Sequence, residues 1–127
     1  MARDLIHEAV KAALINDGWT ITDDPFVIKL EEDESFFEAD LAAEKLIGAQ
    51  KGTQRIVVEI KTFGGTSILY KFHEALGQYL DYRDALRDAN ILRELYLAVS
   101  VDIFERLQDV TFIRRRIEQY ALKIHKC

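Results

Sequence analysis

The chain has 127 residues, 49% of them hydrophobic and only one a proline, so it suits a single domain (1–127) that buries roughly two-thirds of its unfolded surface. Seventeen Lys and Arg against 22 Asp and Glu leave a formal charge of −5, which argues against a nucleic-acid coat protein, since such proteins carry a strong basic excess. No apolar run reaches the ~20 residues that span a bilayer, the start MARDLIHEAV lacks the apolar core of a signal peptide, and a lone cysteine, Cys127, excludes an internal disulfide and a CxxC metal site and points to a reducing cytoplasm.

Residues 3–16 carry Leu5, Ile6, Ala9, Val10, Ala13 and Leu14 at helical spacing, and Asp17-Gly18 stops that helix. Trp19 follows as a core anchor behind it, and Asp23-Asp24-Pro25 reads as a turn. FVIKLEE, from Phe26, is the first strand expected, running into an acidic hairpin tip at Glu31 to Glu34. That tip lacks the spacing and glycine of a calcium loop.

A second strand enters at Phe36. Gly48 and Lys51-Gly52 then give the turn signals for antiparallel pairing with RIVVEIKTF, residues 55–63. Gly64-Gly65 breaks the chain, and residues 67–89 place Leu69, Phe72, Leu76, Tyr79, Arg83 and Leu86 along one helical stripe. RELYLAVSVD is a fourth strand, residues 102–122 give one or two helices, and KIHKC opens a final strand. The order is αβββαβα, an α/β fold with a mixed sheet of about four to five strands flanked by helices.

RIVVEIKTF sets two charges inside an apolar strand. Alternation puts Ile56, Val58 and Ile60 on one face and Val57, Glu59 and Lys61 on the other. In FFEADLA the same rule groups Glu38 with Asp40, opposite Phe37, Ala39 and Leu41. If these segments pair, Asp40 stands near Glu59 and Lys61 at one edge of the sheet. Two carboxylates and the Ile60 carbonyl offer hard oxygen ligands for Mg²⁺ (or Mn²⁺), and Lys61 offers a catalytic base or a charge to set against a phosphate.

Asp40, eighteen intervening residues, and then Glu59-Ile60-Lys61 resemble the PD-(D/E)XK nuclease motif, with Ala39 where the pattern has proline. The element order resembles the restriction-endonuclease-like fold. Over its whole length the chain is similar to the XisH family, the fdxN element excision controlling factors of cyanobacteria. That resemblance implies a Mg-dependent deoxyribonuclease acting on DNA in programmed element excision during heterocyst differentiation, alongside a small companion protein of the XisI type. It implies Asp40, Glu59 and Lys61 as catalytic residues, with Glu8 of the first helix as an outer metal ligand. Gln78 and Tyr82, four apart on one helix face, resemble the Gln-xxx-Tyr feature that contacts DNA in related nuclease branches.

Each signal also has a plainer reading. An acid-x-Lys triplet occurs about once by chance in such a chain, and a solvated cross-strand ion pair is its plain alternative, against which the apolar strand around it and the upstream acid weigh. Arg114, Arg115 and Arg116 suit phosphates but also suit a solvated helix face. His7, His73 and His125 lack metal-ligand spacing. Two rivals to the nuclease therefore stand. One is a non-catalytic recombination accessory directing a separate recombinase, and the other is an interaction module built to hold its companion. A homodimer is the expectation for duplex cleavage, which needs two sites.

Overall fold

The computed structural model describes residues 2–31, 35–64 and 67–127. Among them the chain forms four helices and seven strands. Helix α1 (Ala2–Asn16) leads into β1 (Thr20–Asp23), β2 (Phe26–Lys29), β3 (Phe36–Ala39), β4 (Leu41–Gly48) and β5 (Gly52–Ile60). Helix α2 (Ile68–Asp88), β6 (Glu94–Val99), α3 (Val101–Asp109), α4 (Thr111–Gln119) and β7 (Lys123–Lys126) follow. Glu32, Asp33 and Glu34 of the acidic tip, and Gly65 of the glycine pair, lie outside the described residues.

The main sheet has five strands in the order β1-β4-β5-β6-β7. β1, β4 and β5 pair antiparallel, whereas β5, β6 and β7 pair parallel. The expectation of a mixed sheet of this size is met. The element order differs, because five strands rather than three precede α2. Thr20–Asp23, too short and too polar to signal a strand, forms the edge strand β1. Phe26–Lys29 is a strand, but it pairs with Phe36–Ala39 in a separate two-stranded ribbon.

The cause of that split is a bend at Asp40. A single strand through FFEADLA would turn Ala39 and Leu41 to the same face, yet Ala39 packs in the core beside α2 and Leu41 in the core beside α1. Aspartate favours such bends because its short carboxylate bonds nearby backbone groups in place of a ladder partner. The antiparallel pairing expected here therefore starts at Leu41, which sits opposite Val58, and runs to the turn where Gly48 faces Gly52. Gly52 has φ of 75°, a left-handed value that glycine adopts without strain.

The sheet separates two cores. Val10 and Leu14 of α1 meet Leu41, Ala43, Ile56, Val58 and Ala98 on one face. On the other, Phe72, Ala75, Tyr79 and Leu86 of α2 cover Val57, Leu95, Leu97 and Val99, with Leu107 of α3 and Ile113 of α4 completing the layer. β5 thus alternates as its sequence requires, feeding Ile56 and Val58 to one core and Val57 to the other. Each fully buried aliphatic or aromatic side chain is worth about 1.5–3 kcal/mol, so Val10 and Leu14 dock α1. Leu5, 73% exposed, departs from the expected stripe and contributes little.

Residues 102–122 resolve into two helices. Val110 adopts an extended conformation and serves as the last cap of α3 and the first of α4. Ser100 and Ser67 cap α3 and α2, their hydroxyls accepting from the N–H groups of Ile103 and Tyr70. KIHK forms the expected last strand, parallel to β6. No helix among the described residues is long and apolar enough to cross a membrane.

Candidate active site at the end of the central strand

β5 ends at Ile60, and the bend at Asp40 lies directly across from that end. The Asp40 N–H donates to Glu59 Oε1 at 3.2 Å. In return, Asp40 Oδ2 accepts from the Ile60 N–H at 2.7 Å. A side chain thus takes over where the β4–β5 ladder stops, and this exchange fixes both carboxyl groups against the strand end. Lys61, just beyond β5, donates its own N–H to the Ala98 carbonyl at 3.0 Å. Its Nζ stands 3.5 Å from Glu59 Oε2. The three residues expected together are together.

Glu59 is the only buried charged residue among those described, at 6% exposure. Burial, and then the adjacent Asp40 carboxylate, push its pKa well above the usual carboxylate range, to about 8, while the Lys61 ammonium acts in the opposite direction. One ammonium therefore does not suffice to keep both acids ionised at neutral pH. A divalent cation would, and the donor set of Asp40, Glu59 and the Ile60 carbonyl is the hard-oxygen kind that Mg²⁺ prefers. These residues fit the metal that the motif implies.

The site opens into a cleft of about 660 Å³ lined by Glu38, Asp40, Glu59 and Lys61, with Gln78 and Tyr82 from α2 and Ile6 and His7 from α1. Gln78 and Tyr82 do share a helix face here: Gln78 Nε2 donates to the Tyr82 hydroxyl at 3.0 Å. That hydroxyl in turn donates to the Glu38 carbonyl at 3.2 Å, and the Tyr82 ring stacks on Phe37 with centroids 4.9 Å apart. Tyr82 therefore holds β3 beside the cleft. Burial, and next the nearby Glu59, raise its pKa. Gln78 Oε1 is buried without a hydrogen-bond partner.

One expectation about placement is corrected. Glu8 does not line the cleft. With Ile6, Val10 and Leu14 facing the sheet, the next position after His7 rotates about 100° away, and Glu8 ends 69% exposed, 3.8 Å from Lys11 Nζ. Arg114, Arg115 and Arg116 lie on α4 and are not among the residues lining the cleft. Arg114 donates to the Gln108 carbonyl at 2.8 Å, and Arg116 stacks on Phe112 at 4.6 Å.

His7 is the residue the sequence concealed. Its Nε2 lies 2.8 Å from Asp24 Oδ1, and Asp24 also binds Lys11 Nζ at 2.8 Å. His7, Glu8 and Asp24 bring ligand atoms within 4.8 Å of one another, but the lysine already occupies Asp24. The helical phase of Ile6 was the available signal, because the neighbouring position must lie at the edge of the packed face.

An α/β domain with a mixed sheet, and with two carboxyl groups and a lysine fixed at the end of its central strand, defines a class: an α/β protein with an acidic cleft at one sheet end. The chain belongs to the XisH family, whose model, XisH protein, matches residues 1–125. It is similar to the fdxN element excision controlling factor protein of Anabaena variabilis, with 38% identity and a TM-score of 0.83 over 97% of this chain and 89% of that one. An XisH family protein of Nostoc punctiforme is 35% identical, with a TM-score of 0.79 over 94% and 88% of the two chains. No curated protein matches the chain.

Proposed function

We propose that the chain is a Mg-dependent nuclease with a PD-(D/E)XK site on a restriction-endonuclease-like fold, hydrolysing phosphodiester bonds of DNA in programmed element excision. One observation carries this reading. Asp40 and Glu59 are locked to each other and to Ile60 by backbone bonds, with the Lys61 ammonium at 3.5 Å, inside an open cleft. A surface ion pair has no reason to bury a carboxyl group at the end of a strand.

Asp40, Glu59 and the Ile60 carbonyl would hold the ion, and Mg²⁺, when bound, supplies Lewis-acid polarisation of the phosphate. Lys61 sets positive charge against the phosphate oxygens as negative charge grows there. Gln78 and Tyr82 line the same cleft and suit a DNA strand entering it. Glu8 has no part in the ligand set at this geometry, and Arg114, Arg115 and Arg116, which do not line the cleft, would meet phosphates outside it. DNA, a second copy of the chain and a small companion of the XisI type are the partners this reading expects, in the cytoplasm and during heterocyst differentiation.

The net charge of −5 and the word "controlling" in the name of the Anabaena relative favour a second reading, a non-catalytic accessory or interaction module. Incubating plasmid and branched DNA with Mg²⁺ or Mn²⁺ separates the two. Cleavage lost in Asp40→Ala and Lys61→Ala supports the nuclease. No cleavage, together with no metal binding by calorimetry, leaves the accessory.

A further inference from the structure

A second cavity, of about 630 Å³, opens at the other end of the sheet, where β5 and β6 begin. Arg55 of β5, Arg83 and Arg87 of α2, Arg93 and Lys123 line it, and Glu94 is the one carboxylate among the lining residues. A chain of net charge −5 thus gathers five cations around a single opening. Arg55 lies four residues before Glu59, about 13 Å along the strand at roughly 3.3 Å per residue, so this cavity is separate from the acidic cleft.

Three of the five cations have acidic neighbours. Arg55 meets Glu44, Arg87 meets Asp84 and Lys123 meets Glu94, each at 3.5 Å. Exposed pairs of this kind are worth at most about 1 kcal/mol and exchange readily for a better anion. Arg83 and Arg93 make no ion pair among the described residues. Arg83 gives one N–H to the Tyr120 carbonyl at 2.6 Å and lies over the Tyr79 ring at 5.5 Å. Arg93 lies over the Phe26 ring at 5.0 Å. A phosphate oxygen is the acceptor that a guanidinium fork matches best.

The rim adds an apolar surface. Ile91 and Leu92 line the cavity, and Leu92 is 96% exposed, so a flat ring lying on it would remove apolar area from water. The volume falls in the range of about 300–1,000 Å³ typical of small-ligand sites. Because the cavity is basic, a phosphate needs no metal ion to enter it, in contrast to the acidic cleft.

We propose that this cavity binds a nucleoside phosphate, its phosphate held by Arg83, Arg87 and Arg93 and its ring resting against Ile91 and Leu92. The ligand is either a free nucleotide or the phosphorylated end of a strand, and the chemistry of recognition is the same.

Calorimetry of the full chain in the presence of a chelator tests it, with adenosine monophosphate, pyrophosphate and adenosine as probes. The monophosphate and pyrophosphate bind, and adenosine binds far more weakly. Arg87→Gln combined with Arg93→Gln weakens the monophosphate by about tenfold or more, the loss expected for charge-assisted bonds to phosphate. Leu92→Ser weakens the monophosphate and leaves pyrophosphate unchanged. Arg87→Gln alone, on an exposed helix turn, supplies the reading if the double variant fails to fold. A short single strand with a terminal phosphate displaces the monophosphate if a strand end is the natural ligand. If it does not, the free nucleotide is. Absence of binding by both phosphates, adenosine binding as tightly as its monophosphate, or unchanged binding in the arginine variants overturns the proposal.

Discussion

Asp40 and Glu59 close a reciprocal pair across the end of the central strand, each held through a backbone N–H: Asp40's own to Glu59 Oε1 at 3.2 Å, and Ile60's to Asp40 Oδ2 at 2.7 Å. Two acids placed this near each other, one of them buried, cannot both ionise cheaply. In the metal-free protein the proton on Glu59 is therefore part of what keeps the pair together.

That proton makes stability depend on pH. Below the ordinary value of 4.5 both folded and unfolded chains carry it, and between 4.5 and about 8 only the folded chain does. Stability therefore falls as pH rises across that window, by an amount on the order of a few kcal/mol, and levels off above it. Glu59→Gln, which keeps an acceptor for the Asp40 N–H, flattens the profile and is the more stable protein at pH 8. Urea titrations at several pH values, with chelator present, read both effects. A wild-type profile that rises with pH contradicts the assignment.

Asp40 carries a structural bond as well as a charge, so its variants separate the two. Asp40→Ala leaves the Ile60 N–H without its acceptor and costs about 1–3 kcal/mol, whereas Asp40→Asn keeps an oxygen there and costs less. On the nuclease reading both variants lose metal binding and cleavage. Lys61→Ala, whose side chain holds no strand in place, lowers the cleavage rate by about 10²–10⁴ with little change in melting temperature.

Tyr82 holds β3 through the Glu38 carbonyl. Tyr82→Phe keeps the stack on Phe37 and loses only the hydroxyl, so it costs about 1 kcal/mol. Tyr82→Ala removes the ring from the core and costs about 3–5 kcal/mol. Thermal denaturation of the two variants, measured side by side, checks the ratio. Equal losses mean that the hydroxyl, and not the ring, does the holding.

The docking of α1 rests on two side chains. Leu14→Ala destabilises by about 2–5 kcal/mol, while Leu5→Ala, at a position 73% exposed, stays within about 0.5 kcal/mol. Chemical denaturation distinguishes them directly.

Much of the site was legible in the sequence because β5 obeys a strict period of two. Ile56, Val58 and Val57 sort to the two cores as alternation requires, and that sorting alone puts Glu59 and Lys61 on one side. The spacing from Asp40 then supplied the third member. Legibility failed where a side chain replaced the backbone pattern. The Asp40 carboxylate ends one ladder and lets β3 leave for another sheet, and no propensity scale registers that. β1 was missed because four residues at a sheet edge need no apolar face of their own. Glu8 was placed at the metal, although one helical step separates the cleft-lining His7 from solvent. The basic cavity draws Arg55, Arg83, Arg93 and Lys123 from four stretches of chain, so only folding makes them neighbours.

One oxygen on α2 has an influence beyond its own helix. The Tyr79 hydroxyl donates to the Leu95 carbonyl at 2.7 Å and accepts from the Lys123 N–H at 3.2 Å, bridging the first residues of β7 to β6. β7 is a short outermost strand with a lysine at each end, a poor template for another chain. β6 behind it is longer and apolar. Tyr79 thus acts as a latch on the sheet's border. In Tyr79→Phe the latch is undone and β6 becomes available for edge-to-edge association, which light scattering during gentle heating detects as aggregation before global unfolding.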